Sequence, residues 1–214
     1  TAGAVQRPNT ALLLANIARS SSNDRAVLFA IQSASVGRAA DVFVELAGDR
    51  RLASTPGGWQ FIGDLAELAG LENRNGMDEL LTAIERAQLV PEDSMWLARR
   101  LGEGLSTGGA TFASAAPRGT WMGFGNAALD FALGNGSTEL RAESIRFLGA
   151  GGISLRIVGT GGYRDVDTDC LLAFLAPAES QEVQSAAIDA LARFDNPAIT
   201  AAFVQRWRIR LRLA

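Results

Sequence analysis

The sequence predicts an all-α protein, an α-solenoid of antiparallel helix pairs. Three observations carry that prediction. The segment from Ser180 to Trp207, SQEVQSAAIDALARFDNPAITAAFVQRW, reads as two helices joined by a tight turn. Its first helix overlays Ser137–Leu148 at an offset of 43 residues. Upstream, helical patterns of similar length follow one another between Gly, Pro and Asn breaks.

The organising segment is built as follows. Ser180 is an N-cap, its hydroxyl placed to accept a free backbone N–H of the first turn. Glu182 puts a negative charge at the positive end of the helix dipole. Val183, Ala186, Ala187, Ala190, Leu191 and Phe194 recur at helical spacing and define one apolar face. Gln184, Ser185, Asp189 and Arg193 take much of the other side. Asp195 and Asn196 turn the chain, and Pro197 opens the next helix where its missing N–H costs nothing. That helix carries Ile199, Ala202, Phe203 and Trp207 on one face. Two such helices cannot bury both faces on each other, so they call for neighbours.

The remaining elements follow in order. Asn9 or Thr10 caps ALLLANIARS, with Leu13 and Ile17 on its core face. Asp24 opens DRAVLFAIQSA, and Gly37 separates it from a single helix, RAADVFVELAGDRRLA, whose apolar side holds Val42, Phe43 and Leu46. After the Thr55-Pro56-Gly57-Gly58 break, WQFIGDLAELAGL carries a stripe of Phe61, Ile62, Leu65, Leu68 and Ala69. MDELLTAIERA turns Leu80, Leu81 and Ile84 inward. Pro91 starts a helix that Gly102 and Gly104 are expected to weaken, because glycine costs about 1 kcal/mol in a helix interior. Residues 107–120 read as a loop, Trp121–Leu133 as a helix, and Ser137 caps TELRAESIRFLG. The count is about ten helices.

The 43-residue offset fits the period of about 40–47 residues of two-helix repeats. The run Glu182 to Ala192, followed by Asp195-Asn196-Pro197, resembles the HEAT-like repeats of the phycobilisome lyases. That family has an acid, a valine, a basic residue, paired alanines, Ala-Leu and an Asp-Pro turn. Gln184 stands where the family has arginine. More narrowly, the chain resembles the repeat segment of large, bacterial, planctomycete-type proteins, where such repeats lie between a propeller-like dehydrogenase domain and a haem-binding domain. The resemblance implies a HEAT/armadillo-like superhelix, a location outside the cytoplasm, and a role in holding other proteins or other domains of one polypeptide.

Composition narrows the function. With 48% apolar residues the chain can build a core as one helical-repeat domain over residues 1–214. Because it opens on Thr1, it is read as an excerpt of a longer chain or a mature product. Its net charge of −3 sets 20 arginines, with no lysine, against 23 acids, which disfavours a general nucleic-acid binder. No apolar run reaches the roughly 20 residues that span a bilayer. Without histidine there is no Ser-His-Asp or HExxH chemistry. Without lysine there is neither a Walker A loop nor a Schiff-base nucleophile. The lone Cys170 excludes an internal disulfide and is read as a small buried hydrophobe.

No residue set forms an active site, so no catalytic residue, metal or cofactor is expected. Asp165, Asp167 and Asp169 share the opening spacing of a calcium loop, but Cys170 and Ala176 stand where that loop needs glycine and glutamate. The Gly-rich run 149–162 reads as a lengthened loop, an insertion over 150–165; the alternative is a short hairpin pairing ISLRIV and YRDV. Trp59, Trp96, Trp121 and Trp207 read as inter-helix core. The candidate interaction surface is Trp121, Met122 and Phe124, which follow a long loop, together with Arg206, Arg208 and Arg210 of the alternating tail. The expected function is a non-catalytic scaffold or protein-interaction module. The alternatives are a lyase-type enzyme, which needs a carboxylate pair facing one cleft, and nucleic-acid binding through the arginine tail.

Overall fold

The computed structural model describes residues 10–72, 76–134, 136–150, 156–159, 162–165, 168–194, 197, 199–201 and 203–204. Among these residues lie twelve bounded helices, further helical residues at 197, 199–201 and 203–204, and one two-stranded hairpin, and the helices pack pairwise antiparallel. α1 (Thr10–Ser20) pairs with α2 (Arg25–Ala34), and α3 (Ala39–Leu46) with α5 (Pro56–Glu72). The one-turn α4 (Arg50–Ala53) makes the corner between these last two. α6 (Met77–Arg86) pairs with α7 (Pro91–Thr107). After the short α8 (Phe112–Ala115), α9 (Thr120–Leu133) pairs with α10 (Thr138–Gly149). β1 (Arg156–Gly159) and β2 (Gly162–Asp165) lead to α11 (Thr168–Ala173), which packs on α12 (Gln181–Leu191).

The pairs stack side by side. The second helices form one row, in which α2 touches α5, α5 touches α7, α7 touches α10 and α10 touches α12. The first helices form the other row, α1 on α3, α3 on α6 and α6 on α9. The layout is solenoid-like, with the core running lengthwise between the rows. Phe43, Leu65, Leu81, Leu101, Phe147 and Leu191 lie in it, each fully buried.

The organising segment folds as its pattern dictates. Ser180 Oγ accepts from Val183 N at 3.3 Å and Ser137 Oγ from Leu140 N at 3.1 Å, so both predicted N-caps form. Val183, Ala186, Ala187, Ala190 and Leu191 are fully buried. Phe194 is half-buried against the core, and beyond the turn Ile199 is buried and Phe203 half-buried. Ala202 and Trp207 lie outside the described residues. The hairpin forms antiparallel with Ile157 opposite Arg164 and Val158 opposite Tyr163.

Four expectations change. The helix read across RAADVFVELAGDRRLA is two, because Asp49 is an N-cap whose Oδ1 accepts from Leu52 N at 2.9 Å. The 107–120 loop holds α8, started by a capping box between Thr111 and Ser114. α1 buries Ala15 and Ala18 and turns Leu13 (59% exposed) and Ile17 (37% exposed) outward. The small residues let α1 close on α2 and α3, and among the described residues no helix pair lies on its outer side. Finally, Gly102 and Gly104 do not interrupt α7. A Cβ on Gly104 would overlap the carbonyl oxygen of Glu67, and one on Gly70 that of Leu101. The glycines are where α5 and α7 meet backbone to backbone.

Long-range caps tie elements together. Glu72, the last residue of α5, accepts from Gly37 N at 2.7 Å and Ala39 N at 3.3 Å at the start of α3. Asp78 on α6 accepts from Arg118 N at 2.9 Å and Thr120 N at 3.1 Å at the start of α9, whose own N-cap is Gly119 in the left-handed region. Asp78 is only 6% exposed. Burial raises its pKa, but the bonds from Arg118 N, Thr120 Oγ1 and Thr120 N, with the Arg118 charge, outweigh it and hold the carboxyl below the ordinary value.

Candidate functional site

The exposed side of the second-helix row is grooved along its length. Between α2 and α5 lies a groove of about 460 Å³, with Arg25, Phe29 and Gln32 on one wall and Gln60, Phe61 and Asp64 on the other. It shares Gln32 and Asp64 with a smaller groove of about 230 Å³ that reaches Leu68, Leu71, Gly104 and Thr107. A third, of about 470 Å³, lies between α7, α10 and α12 and is lined by Arg99, Glu103, Glu143, Arg146, Asp189 and Arg193. On the other row, a groove of about 420 Å³ opens beside Arg19, Val44 and Arg86.

The charges on the second-helix row form one connected chain. Asp64 on α5 accepts from Arg100 Nη2 at 2.7 Å, and Glu67 faces Arg100 Nη1 at 2.8 Å. Glu103 meets Arg99 at 2.7 Å, Arg100 at 3.4 Å and Arg193 at 2.7 Å. Glu143 on α10 meets Arg99 at 2.8 Å and Arg146 at 2.7 Å, and Arg146 meets Asp189 on α12 at 3.4 Å. Burial lowers the pKa of Arg99, but Glu143 and Glu103 outweigh it and hold the guanidinium above its ordinary value. Asp64, Arg99, Arg146 and Asp189 are each the ninth residue of their helices, so α5, α7, α10 and α12 each carry a charge at the same position, where α2 has Ser33.

A second set of polar contacts also repeats. Arg141 Nε donates to the carbonyl oxygen of Ala132 at 3.1 Å, near the end of α9, and its Nη1 meets Glu179 at 2.9 Å. Gln184, 43 residues on, donates from Nε2 to the carbonyl oxygens of Ala176 at 2.8 Å and Glu179 at 3.1 Å, in the turn before α12. Glutamine therefore replaces arginine as the donor to the turn, and the contact survives without the charge.

Of the interaction surface named from sequence, only Trp121, Met122 and Phe124 are described, and they divide between core and surface. Phe124 is buried, its ring 6.4 Å from that of Phe147, so it belongs to the core. Trp121 is half-buried against the core, and Met122 is 49% exposed beside it on α9, in the first-helix row. Arg206, Arg208 and Arg210 lie outside the described residues. Trp59 and Trp96 stack with centroids 4.8 Å apart, and Gly63 leaves room for the Trp96 ring between α5 and α7. Cys170 is half-buried against the core. Asp165 ends β2 and Asp169 lies in α11, while Asp167 is outside the described residues.

In chemical terms the grooves offer guanidinium, carboxylate, amide and apolar groups. Among the described residues, no group of three or more Cys, Asp or Glu could hold a metal ion. A raised carboxyl pKa is found at Asp93, from burial and then the Glu92 charge, and Asp93 lines none of these grooves. None of the described helices is long and apolar enough to cross a membrane. Compared with known protein families, with curated proteins and with solved structures, the chain matches none of them.

Proposed function

We propose that this chain is a HEAT-like helical-repeat scaffold that holds a protein partner, or another domain of its own polypeptide, along its second-helix row. The observation that carries the reading is the groove running from Phe29 to Leu71 on that row, where large apolar side chains stand in the open between polar ones. Phe29 is 69% exposed and Leu71 39%. Apolar groups set among hydrogen-bonding ones are what a protein surface needs to seat a partner. The repeat reading is supported by the 43-residue offset and by the matched turn contacts of Arg141 and Gln184. A role inside a larger redox protein rests on the sequence resemblance alone.

The test is site-specific photo-crosslinking in the native host. A benzoyl-phenylalanine placed at Phe29 or Leu71 is expected to trap one discrete adduct. The same probe at Val90, which is 58% exposed and lines none of the grooves described above, is expected to trap none. Equal adducts from Val90, or none from either groove position, would remove the assignment of this face.

A further inference from the structure

Arg193 lies just past the end of α12, and its partner Glu103 is on α7, two helices away along the row. In a solenoid each unit touches its immediate neighbours only. Packed helix axes are about 8–10 Å apart, so α7 and α12 in a flat row would be separated by roughly 16–20 Å. An extended arginine and glutamate can bridge about that span, so the 2.7 Å contact reaches across α10 and ties the end of α12 directly to α7 on the grooved side.

We propose that the Arg193–Glu103 pair is a latch that sets the curvature of the last three helix pairs, and that its release lets the C-terminal pair swing outward and opens the groove beneath it. The inference concerns the chain's own shape and does not depend on what binds the row. Two features suit the contact to opening and closing. Arg193 is the most exposed arginine of the network, its side chain 38% accessible against 14% for Arg99 and 25% for Arg146. Glu103 keeps Arg99 and Arg100 when Arg193 leaves, so no carboxylate is stranded in a buried site. The pair also closes a circuit. From Glu103 the ion pairs pass through Arg99, Glu143 and Arg146 to Asp189 on α12, and Arg193, four residues further on, returns to Glu103. Cutting that return link leaves α10 paired with each neighbour and removes the ion pair that joins α7 to α12 directly.

The experiment is small-angle scattering of the full chain between about 0.01 M and about 1 M salt, over which the Debye length falls from about 30 Å to about 3 Å. Wild type is expected to shift to a larger radius of gyration as salt rises. Arg193→Glu is expected to show the high-salt radius already at low salt and to lose the salt response. Arg193→Lys is expected to keep the wild-type response, because a single nitrogen of Arg193 makes the contact. Hydrogen exchange separates swinging from unfolding, with α12 amides staying protected in Arg193→Glu if the pair moves as a body. An unchanged radius in Arg193→Glu, or α12 amides that lose protection, would overturn the latch.

Discussion

Gly104→Ala separates packing from propensity, because the two give opposite signs. By helix propensity alone, alanine at position 104 is better than glycine by about 1 kcal/mol. In the structure, a Cβ there overlaps the Glu67 carbonyl oxygen and crowds the backbone of Leu71. Those atoms are α5 backbone and have no rotamer through which to yield. Relief requires moving α5 and α7 apart, which also disturbs the Gly70 contact with Leu101 and the Trp59–Trp96 stack. Overpacking of this kind costs about 1–3 kcal/mol, at times more, and exceeds the propensity gain. The internal control is Gly123→Ala on α9, where the added methyl meets nothing within 4 Å. It should stabilise by about 0.4–1 kcal/mol. Both variants share the gain from replacing glycine, so the expected contrast between them is the overpacking cost, roughly 1–3 kcal/mol. Denaturant titration of both, followed by far-UV circular dichroism and Trp fluorescence, reads it directly. Equal shifts, or a stabilising Gly104→Ala, would refute the backbone-to-backbone contact.

Other substitutions test other layers. Leu191→Ala should cost about 2–5 kcal/mol by opening a cavity at a fully buried site, whereas Asp189→Ala, 56% exposed and paired only at 3.4 Å, should cost about 0.5 kcal/mol or less in the same titration. Asp78→Ala should cost about 1–3 kcal/mol at neutral pH by leaving the N–H groups of Arg118 and Thr120 without their acceptor. Because the folded pKa of Asp78 is lowered, its contribution is complete above the ordinary value of 3.8 and fades as pH falls through the lower folded one, so the gap between wild type and variant should close on acidification and not on raising the pH. Ser144→Ala should stabilise by about 1–3 kcal/mol, since Ser144 Oγ is fully buried without a hydrogen-bond partner and the residue 43 positions on, Ala187, already lacks the hydroxyl. A loss of stability there would show that the hydroxyl is satisfied.

What could be read in the sequence was whatever depends on neighbours along the chain. The caps at Ser137 and Ser180, the apolar face of α12 and the hairpin over 156–165 each rest on residues a turn or a strand apart. What could not be read depends on which helix lies opposite. The glycines of α7 look like weak points until α5 supplies the atoms that need the space. Glu72 and Asp78 look like surface acids of their own helices, yet each caps a different helix, more than 30 residues away for Glu72 and 40 or more for Asp78. Leu13 and Ile17 have the spacing of a core face, but periodicity cannot say which side of α1 meets the array. On the grooved row, helical spacing marks Arg99, Glu143 and Arg146 as a solvated face, and only the order of helices turns them into a network. The one sequence signal was the repeat itself. Overlaying Ser137 on Ser180 puts Arg146 on Asp189, opposite charges at equivalent places in adjoining pairs.

Distance and angle within the array are set by different residues. Small side chains fix how close neighbouring helices come. Gly70 and Gly104 do so between α5 and α7, and Gly149 against Ala190 does so between α10 and α12. At such contacts, sliding or separation meets backbone atoms at once, so those displacements are stiff. Rotation about the line of contact changes few of these distances and is the softer coordinate. The ion pairs lie on one edge of the row, away from that line, where they have leverage over rotation and little over separation. Substitutions should sort accordingly. Gly104→Ala should move the unfolding midpoint, because it acts on a stiff coordinate that all folded molecules share. Arg193→Glu should move the radius of gyration with a stability change of about 1 kcal/mol or less, as expected for a partly exposed pair. If instead Arg193→Glu lowers the unfolding midpoint as much as Gly104→Ala does, angle and distance are coupled, and the grooved face is part of the core's cohesion and cannot flex independently of it.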